Sequence, residues 1–145
     1  MKNPIKLVFI LLMVVVLACS CTDSWFRAEI TSSVDFYDPA TSSLPGLPLE
    51  IKYDIDGPTP GVTAIIYITN KGSFVYIEDD QLINAGRTAQ LSGKKIYWVP
   101  DEENGDLADS ARIKAIISYF DKIVEVSKTF SARIIKDRNG AYVIR

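Results

Sequence analysis

Ala111-Arg-Ile-Lys-Ala-Ile-Ile-Ser-Tyr-Phe-Asp121-Lys-Ile-Val-Glu-Val-Ser-Lys-Thr-Phe-Ser-Ala132 is the stretch on which the fold turns. Its first half fits two periods. Ile113, Ile116, Ile117 and Phe120 share one face of a helix that Asp109 would cap, and a helix over 107–120 would make the chain α+β. Ala111, Ile113, Ala115, Ile117 and Tyr119 share one face of a strand. The second half decides for the strand. Folded back with Asp121-Lys122 as the turn, Tyr119 meets Val124, Ile117 meets Val126, Ile113 meets Phe130 and Ala111 meets Ala132. The outward pairs are then Ser118 with Glu125, Lys114 with Thr129 and Arg112 with Ser131, so one register suits both faces. Lys128 falls opposite Ala115, where its stem has room to run out to water. Asp-Lys is not a preferred two-residue turn, which leaves room for a longer loop. In this register Ile116 and Phe120 face outward, either as a partner surface or under the C-terminal strand.

Working outward, Asp137-Arg-Asn-Gly140 turns the chain into a last short strand, Ala141 to Ile144. Upstream, Leu49 to Asp56 alternates Leu, Ile, Tyr and Ile against Glu, Lys, Asp and Asp, the pattern of a strand with one wet face. Ala64 to Thr69 is continuous and β-branched, which predicts a more deeply buried strand. Asn70-Lys-Gly72 turns it back along Phe74 to Glu78. Asp79 to Gly86 reads as irregular. Thr88 to Leu91 and Ile96 to Val99 are short strands, the latter stopped by Pro100. Ala28 to Val34 is a plausible first strand, and the Pro-, Ser- and Gly-rich run from Asp38 to Pro48 is a connection.

Short strands with turn signals every 8–12 residues predict an all-β fold, an antiparallel sandwich of about seven to nine strands. Leu49 to Asp56, Ala64 to Thr69, Ile96 to Pro100 and Asp109 to Ile135 resemble successive strands of bacterial immunoglobulin-like or fibronectin type III-like domains. The closing pair, ending Ser127-Lys-Thr-Phe-Ser131, is the most similar part. The antibody-type cysteine pair is absent, and such domains serve many functions, so the resemblance implies a fold and no activity.

The N-terminus carries an address. Lys2 and Lys6 precede an uninterrupted apolar run from Leu7 to Ala18, long enough for a secretory signal and too short to span a bilayer. Val16-Leu17-Ala18-Cys19 resembles a bacterial lipobox, although consensus would put Leu at position 16 and a small residue at 17. The resemblance implies cleavage before Cys19, diacylglycerol on its thiol and a lasting membrane anchor. Cys21, preceded by Ala18-Cys19-Ser20, is the alternative lipidation site. A signal cleaved near Ala28, or an uncleaved anchor, is the plainer reading. Neither Ser20 nor Thr22 is the Asp that retains lipoproteins at an inner membrane, which favours the outer membrane. The chain thus divides into a signal peptide (1–18), a lipidated tether (19–28) and the β-sandwich domain (29–145). Trp25 and Phe26 suit either the membrane interface or the start of the first strand.

Composition closes several doors. Cleavage removes 18 of 145 residues and leaves 127; with Lys2 and Lys6 gone, 14 basic side chains face 18 acidic ones, a net charge of −4. With no basic cluster, no nucleic acid partner is expected. Both cysteines lie in the export region, so the folded part is expected to hold no disulfide. There is no histidine, which removes Ser-His-Asp and Cys-His catalysis, His-ligated zinc and the usual neutral-pH proton shuttle. Asp101, Glu102, Glu103, Asp106 and Asp109 form an acidic loop, but the spacing is not an EF-hand and adjacent acids are not a hydrolase pair across a cleft. No catalytic residue, metal site or cofactor is expected. Tyr67, Phe74, Tyr76, Tyr97 and Trp98 sit on strands; a glycan would stack on Trp98, Tyr97 or Tyr67 if they are exposed, and otherwise they are core. The expectation is a non-catalytic, lipid-anchored envelope module with a protein partner, the alternative being a surface-tethered glycan-binding module.

Overall fold

The computed structural model describes residues 26–55, 61–91, 93–103, 105–121 and 123–145. The signal segment, Cys19, Cys21 and Trp25 lie outside the described residues. Twelve strands follow in order: β1 (Phe26–Thr31), β2 (Leu47–Ile55), β3 (Val62–Thr69), β4 (Ser73–Glu78), β5 (Gln81–Gly86) and β6 (Thr88–Leu91). Then come β7 (Ile96–Val99), β8 (Glu102–Glu103), β9 (Asp106–Leu107), β10 (Ser110–Asp121), β11 (Val124–Lys136) and β12 (Tyr142–Ile144). There is no helix among the described residues, so the α+β alternative with a helix over 107–120 is corrected: those residues lie in β9, in β10 and between them.

The strands form two five-stranded sheets, ordered β1-β2-β7-β4-β5 and β12-β11-β10-β3-β6, with β8-β9 as a small separate ribbon. The strand pairings are antiparallel. One apolar core lies between the sheets, so the fold is an all-β antiparallel sandwich, as the turn spacing predicts. The first sheet contributes Phe26, Ile30, Leu47, Leu49, Phe74, Ile96 and Trp98; the second contributes Ile65, Tyr67, Ile113, Ile117, Tyr119, Ile134 and Tyr142. Three aromatic contacts bridge the layers: Phe26 stacks on Tyr119 at 4.3 Å between centroids, Tyr67 tilts onto Phe74 at 6.0 Å, and Trp98 meets Tyr142 edge-on at 5.2 Å. Such pairs add about 0.5–1.5 kcal/mol each beyond the area they bury.

The β10–β11 hairpin has the expected faces in a shifted register. Tyr119 lies opposite Val126, Ile117 opposite Lys128, Ile113 opposite Ala132 and Ala111 opposite Ile134. Each partner is two residues further along β11 than the sequence pairing, because Asp121 pairs with Val124 and the turn lies between them. A slip of two leaves every side chain on its original face, so hydrophobic alternation does not distinguish the two registers. The outward pairs become Ser118 with Ser127, Lys114 with Ser131 and Arg112 with Arg133. The two serine hydroxyls are 2.8 Å apart.

Two other expectations change. Gln81 to Gly86 is not irregular; it is β5, the return arm of a hairpin with Glu78 opposite Gln81. Asp79 and Asp80 form its turn with φ of 49° and 60°, the left-handed pair that a two-residue hairpin demands. Without the usual Gly, the Asp-Asp sequence gives little sign of it. β3 is the more deeply buried strand that the sequence predicts: Ile65, Tyr67 and Thr69 are buried, and Ala64, Ile66 and Ile68 are half-buried on the outer side. The first sheet also begins earlier than expected: Phe26, Arg27 and Ala28 pair with Ile55, Asp54 and Tyr53.

The connections are pinned by short-range polar contacts. Asp38 accepts from the Thr41 hydroxyl (2.7 Å) and the Ala40 amide (2.9 Å), and those bonds, the hydroxyl's first, hold its carboxyl below the usual range. Tyr37 exchanges backbone bonds with Tyr142 at 2.9 and 2.7 Å, tying the β1–β2 connection to the last strand. Asp137 accepts from the Asn139 and Ala141 amides at 2.8 and 2.9 Å and so turns β11 into β12.

Candidate interaction surface

The three aromatics put forward for a glycan all lie inside the protein. Trp98 and Tyr67 have no exposed surface, and Tyr97 keeps 7% of its own. Alternation along β7 turns Trp98 into the core and Tyr97 to the other face, where its register neighbours are Pro48 and Val75 and Lys95 Nζ is 5.9 Å from the ring centroid. The indole of Trp98 is used internally: Nε1 donates to the Lys71 carbonyl at 2.9 Å. Gly72 makes room for it. Its φ is +79°, and a Cβ there would lie 2.4 Å from Trp98 Nε1 and from the Val99 carbonyl oxygen. The Tyr67 hydroxyl is buried without a hydrogen-bond partner, and burial first, then the Glu50 charge, raises its pKa far above the ordinary tyrosine value. None of these rings offers a face on which a pyranose could stack.

The acidic loop folds around a small ribbon, and two of its carboxylates face separate cations. Glu103 pairs with Lys71 at 3.0 Å, and Asp101 with Arg87 at 3.1 Å. Among the described residues no three Cys, Asp or Glu side chains come together to hold a metal ion. These exposed pairs are worth about 0–1 kcal/mol each and fix the ribbon only loosely. The Ala108 amide donates to the Asp101 carbonyl at 2.9 Å, and the buried Tyr142 hydroxyl donates to the Ala108 carbonyl at 2.8 Å, which ties the ribbon to the core. Burial raises the Tyr142 pKa to about 12, with smaller contributions from the charges of Asp109 and Tyr37.

Among the described residues, two of the open clefts flank the sandwich. One, of about 380 Å³, runs between β1 and β11 and is lined by Ala28, Ile30, Val34, Phe130, Ala132 and Ile144, with Glu29, Asp35 and Arg145 at its polar edge. The other, of about 580 Å³, lies between β2 and β3 and includes Leu49, Ile51, Val62, Ala64, Lys94 and Lys95. Neither is lined by a histidine or a cysteine, and both combine apolar side chains with a few charged ones, as a contact surface does.

The outer face of the second sheet is the broadest candidate for contact. Ile66 and Ile116 are register neighbours there, Ile68 lies beside Lys114, and Thr129 continues the row from Ile116. Ile116 is half-buried and Phe120 is 45% exposed; the C-terminal strand does not cover them, since β12 pairs only with Ile134 to Lys136 at the far end of β11. Polar side chains frame the row: the Thr63 hydroxyl lies 2.7 Å from a Glu125 carboxylate oxygen and 3.1 Å from the Ser118 carbonyl. The row leads to the β10–β11 turn, where Val124 is 58% and Ile123 92% exposed. Alternation assigns Val124 to the inner face and gives no hint of this exposure. The signal is in the lengths. β10 and β11 run 12 and 13 residues, whereas β3 has 8; its register ends at Tyr119 with Val62, and the Phe120 amide donates to the Gly61 carbonyl at 3.2 Å just beyond it. Among the described residues, the hairpin tip therefore extends past β3.

Neither a family model, a curated protein nor a solved structure matches this chain.

Proposed function

We propose that the chain is a non-catalytic, lipid-anchored envelope module that holds an immunoglobulin-like sandwich close to a membrane, where it presents a face to a protein partner. The strand order supports the fold half of this reading. β1-β2-β7-β4 and β11-β10-β3 repeat the order A-B-E-D and G-F-C of a constant-type immunoglobulin sandwich, with β5, β6 and β12 as additions. The lipobox-like Val16 to Cys19 supports the anchor, and Ser20 favours the outer membrane.

The observation that carries the reading is the position of Phe26. Only seven residues beyond Cys19, it is 5% exposed and already paired in the first sheet. A lipid on Cys19 would leave so short a leash that the domain works at the membrane surface, where presenting a face is the chemistry its side chains allow. The described clefts hold no catalytic constellation, and the sequence offers no histidine to build one. The glycan alternative loses its support with the burial of Trp98, Tyr97 and Tyr67.

The test is cross-linking on intact cells, followed by recovery through a C-terminal tag and mass spectrometry. One reproducible envelope protein, lost when Ile66, Ile68 and Ile116 are replaced by Ser, is the expected result. Glycan-array binding with no protein adduct would overturn it.

A further inference from the structure

We propose that the overhanging tip of the β10–β11 hairpin, Phe120, Ile123 and Val124, is a membrane-contact element that dips into the lipid surface to which the N-terminus is tethered. The inference rests on the lipid-anchor reading and adds a second, reversible point of attachment.

β1 starts at Phe26, opposite Ile55, and runs away from that end of the sandwich, so the preceding chain leaves from it. β10 runs toward the same end: the Phe26 ring stacks on Tyr119 at 4.3 Å, two residues before Asp121 closes the hairpin with Val124. The chain's exit and the apolar tip therefore share one end of the molecule. From Cys19 to Phe26 the chain spans seven residue steps, at most about 25 Å when fully extended. A lipid on Cys19 would confine this end to the membrane's immediate neighbourhood.

The tip carries three exposed apolar side chains. At the tip, Ile123 is 92% exposed, Val124 58% and Phe120 45%. At the opposite end, the β11–β12 turn exposes Asp137, Arg138 and Asn139, and the β8–β9 ribbon exposes Glu102, Glu103 and Asp106. An aromatic and two branched aliphatic side chains on a protruding turn suit the headgroup–acyl boundary, where apolar groups lose their contact with water. Charge is exposed at both ends, since the β4–β5 turn with Asp79 and Asp80 lies at the same end as the tip, so it is the three apolar side chains that single the tip out. A protein partner would also accept the tip, but only the membrane is brought to it by the tether.

The full chain is tested in cells that process lipoproteins, with photoactivatable benzoylphenylalanine at Ile123 and, in a separate strain, at Asn139. Both sites are exposed, so the probe leaves the core untouched. Incorporation of an alkyne palmitate analogue reads the anchor independently. The expected result is a phospholipid adduct at position 123 and none at 139. With the probe at Phe120, the adduct is lost when Ile123→Asp and Val124→Asp are combined. A protein adduct at 123, no adduct there, or equal lipid adducts at both sites, in a chain that takes up the palmitate analogue, would overturn the tip proposal alone. Failure to take up the analogue would remove the anchor and the proposal with it.

Discussion

The base and the tip of the β10–β11 hairpin are written in the same alternating code and end in opposite environments. At the base, Ile113 and Ile134 are fully buried and Ala111 nearly so. At the tip, Phe120, Ile123 and Val124 are exposed. The difference lies in what stands opposite. The base faces the first sheet across the core, with Ala111 and Ile134 in the buried cluster, whereas the tip lies outside that cluster and its last bond to the β3 side is from the Phe120 amide to the Gly61 carbonyl. Alternation therefore specifies which face a side chain takes, while burial depends on the length of the neighbouring elements.

The comparison can be broken hardest at the base. Ile113→Ala and Trp98→Ala should each cost about 3–4 kcal/mol, read as a lower urea midpoint, because each empties a site that has no exposed surface. Gly72→Ala should cost about 2 kcal/mol or more, since it adds a left-handed φ penalty to a contact with the Trp98 ring. Losses below about 1 kcal/mol at these positions would contradict the core described here.

The next effect is on pH dependence. Burial raises Tyr142 to about 12 and Tyr67 further, so both stay protonated in the folded protein at a pH that ionises them in the unfolded chain. Their contribution is fully present below about pH 10 and is lost as pH rises toward the folded values. Unfolding midpoints followed by circular dichroism should fall above about pH 10, and less steeply in Tyr142→Phe and Tyr67→Phe. At neutral pH these two variants should differ in sign. Tyr142→Phe orphans the Ala108 carbonyl and should cost about 1 kcal/mol, whereas Tyr67→Phe removes an unpartnered buried hydroxyl and should be neutral or stabilising by up to about 1 kcal/mol. The smallest effect belongs to the tip. Replacing Phe120, Ile123 and Val124 by Ser should move stability by no more than about 0.5 kcal/mol at each site, because these side chains are already exposed.

Much of the sandwich is legible in the sequence because its strands bury one face and so alternate. Leu49 to Asp56 and Ala111 to Asp121 state their inner sides without ambiguity once the strand period is chosen. What alternation cannot convey is anything that repeats every two residues. The two-residue slip of β11 preserves the pattern, and only the placement of the turn at Asp121 to Val124 reveals it. The β4–β5 hairpin was obscured because Asp79 and Asp80 adopt left-handed backbone without a glycine to advertise it. The aromatics mislead for a related reason. Trp98 and Tyr97 are adjacent and face opposite ways, yet both are buried, one against the second sheet and one within the rows formed by β2, β7 and β4. Exposure at Ile123 depends on overhang, a property of several strands together.

The membrane roles proposed for this chain all depend on the anchor. The direct measurement is labelling of growing cells with a palmitate analogue, in the wild-type chain and in Cys19→Ser and Cys21→Ser, followed by membrane fractionation. The account predicts label and membrane retention in the wild type and in Cys21→Ser, and loss of the label in Cys19→Ser. An unlabelled wild-type chain, or label that survives Cys19→Ser, would contradict it.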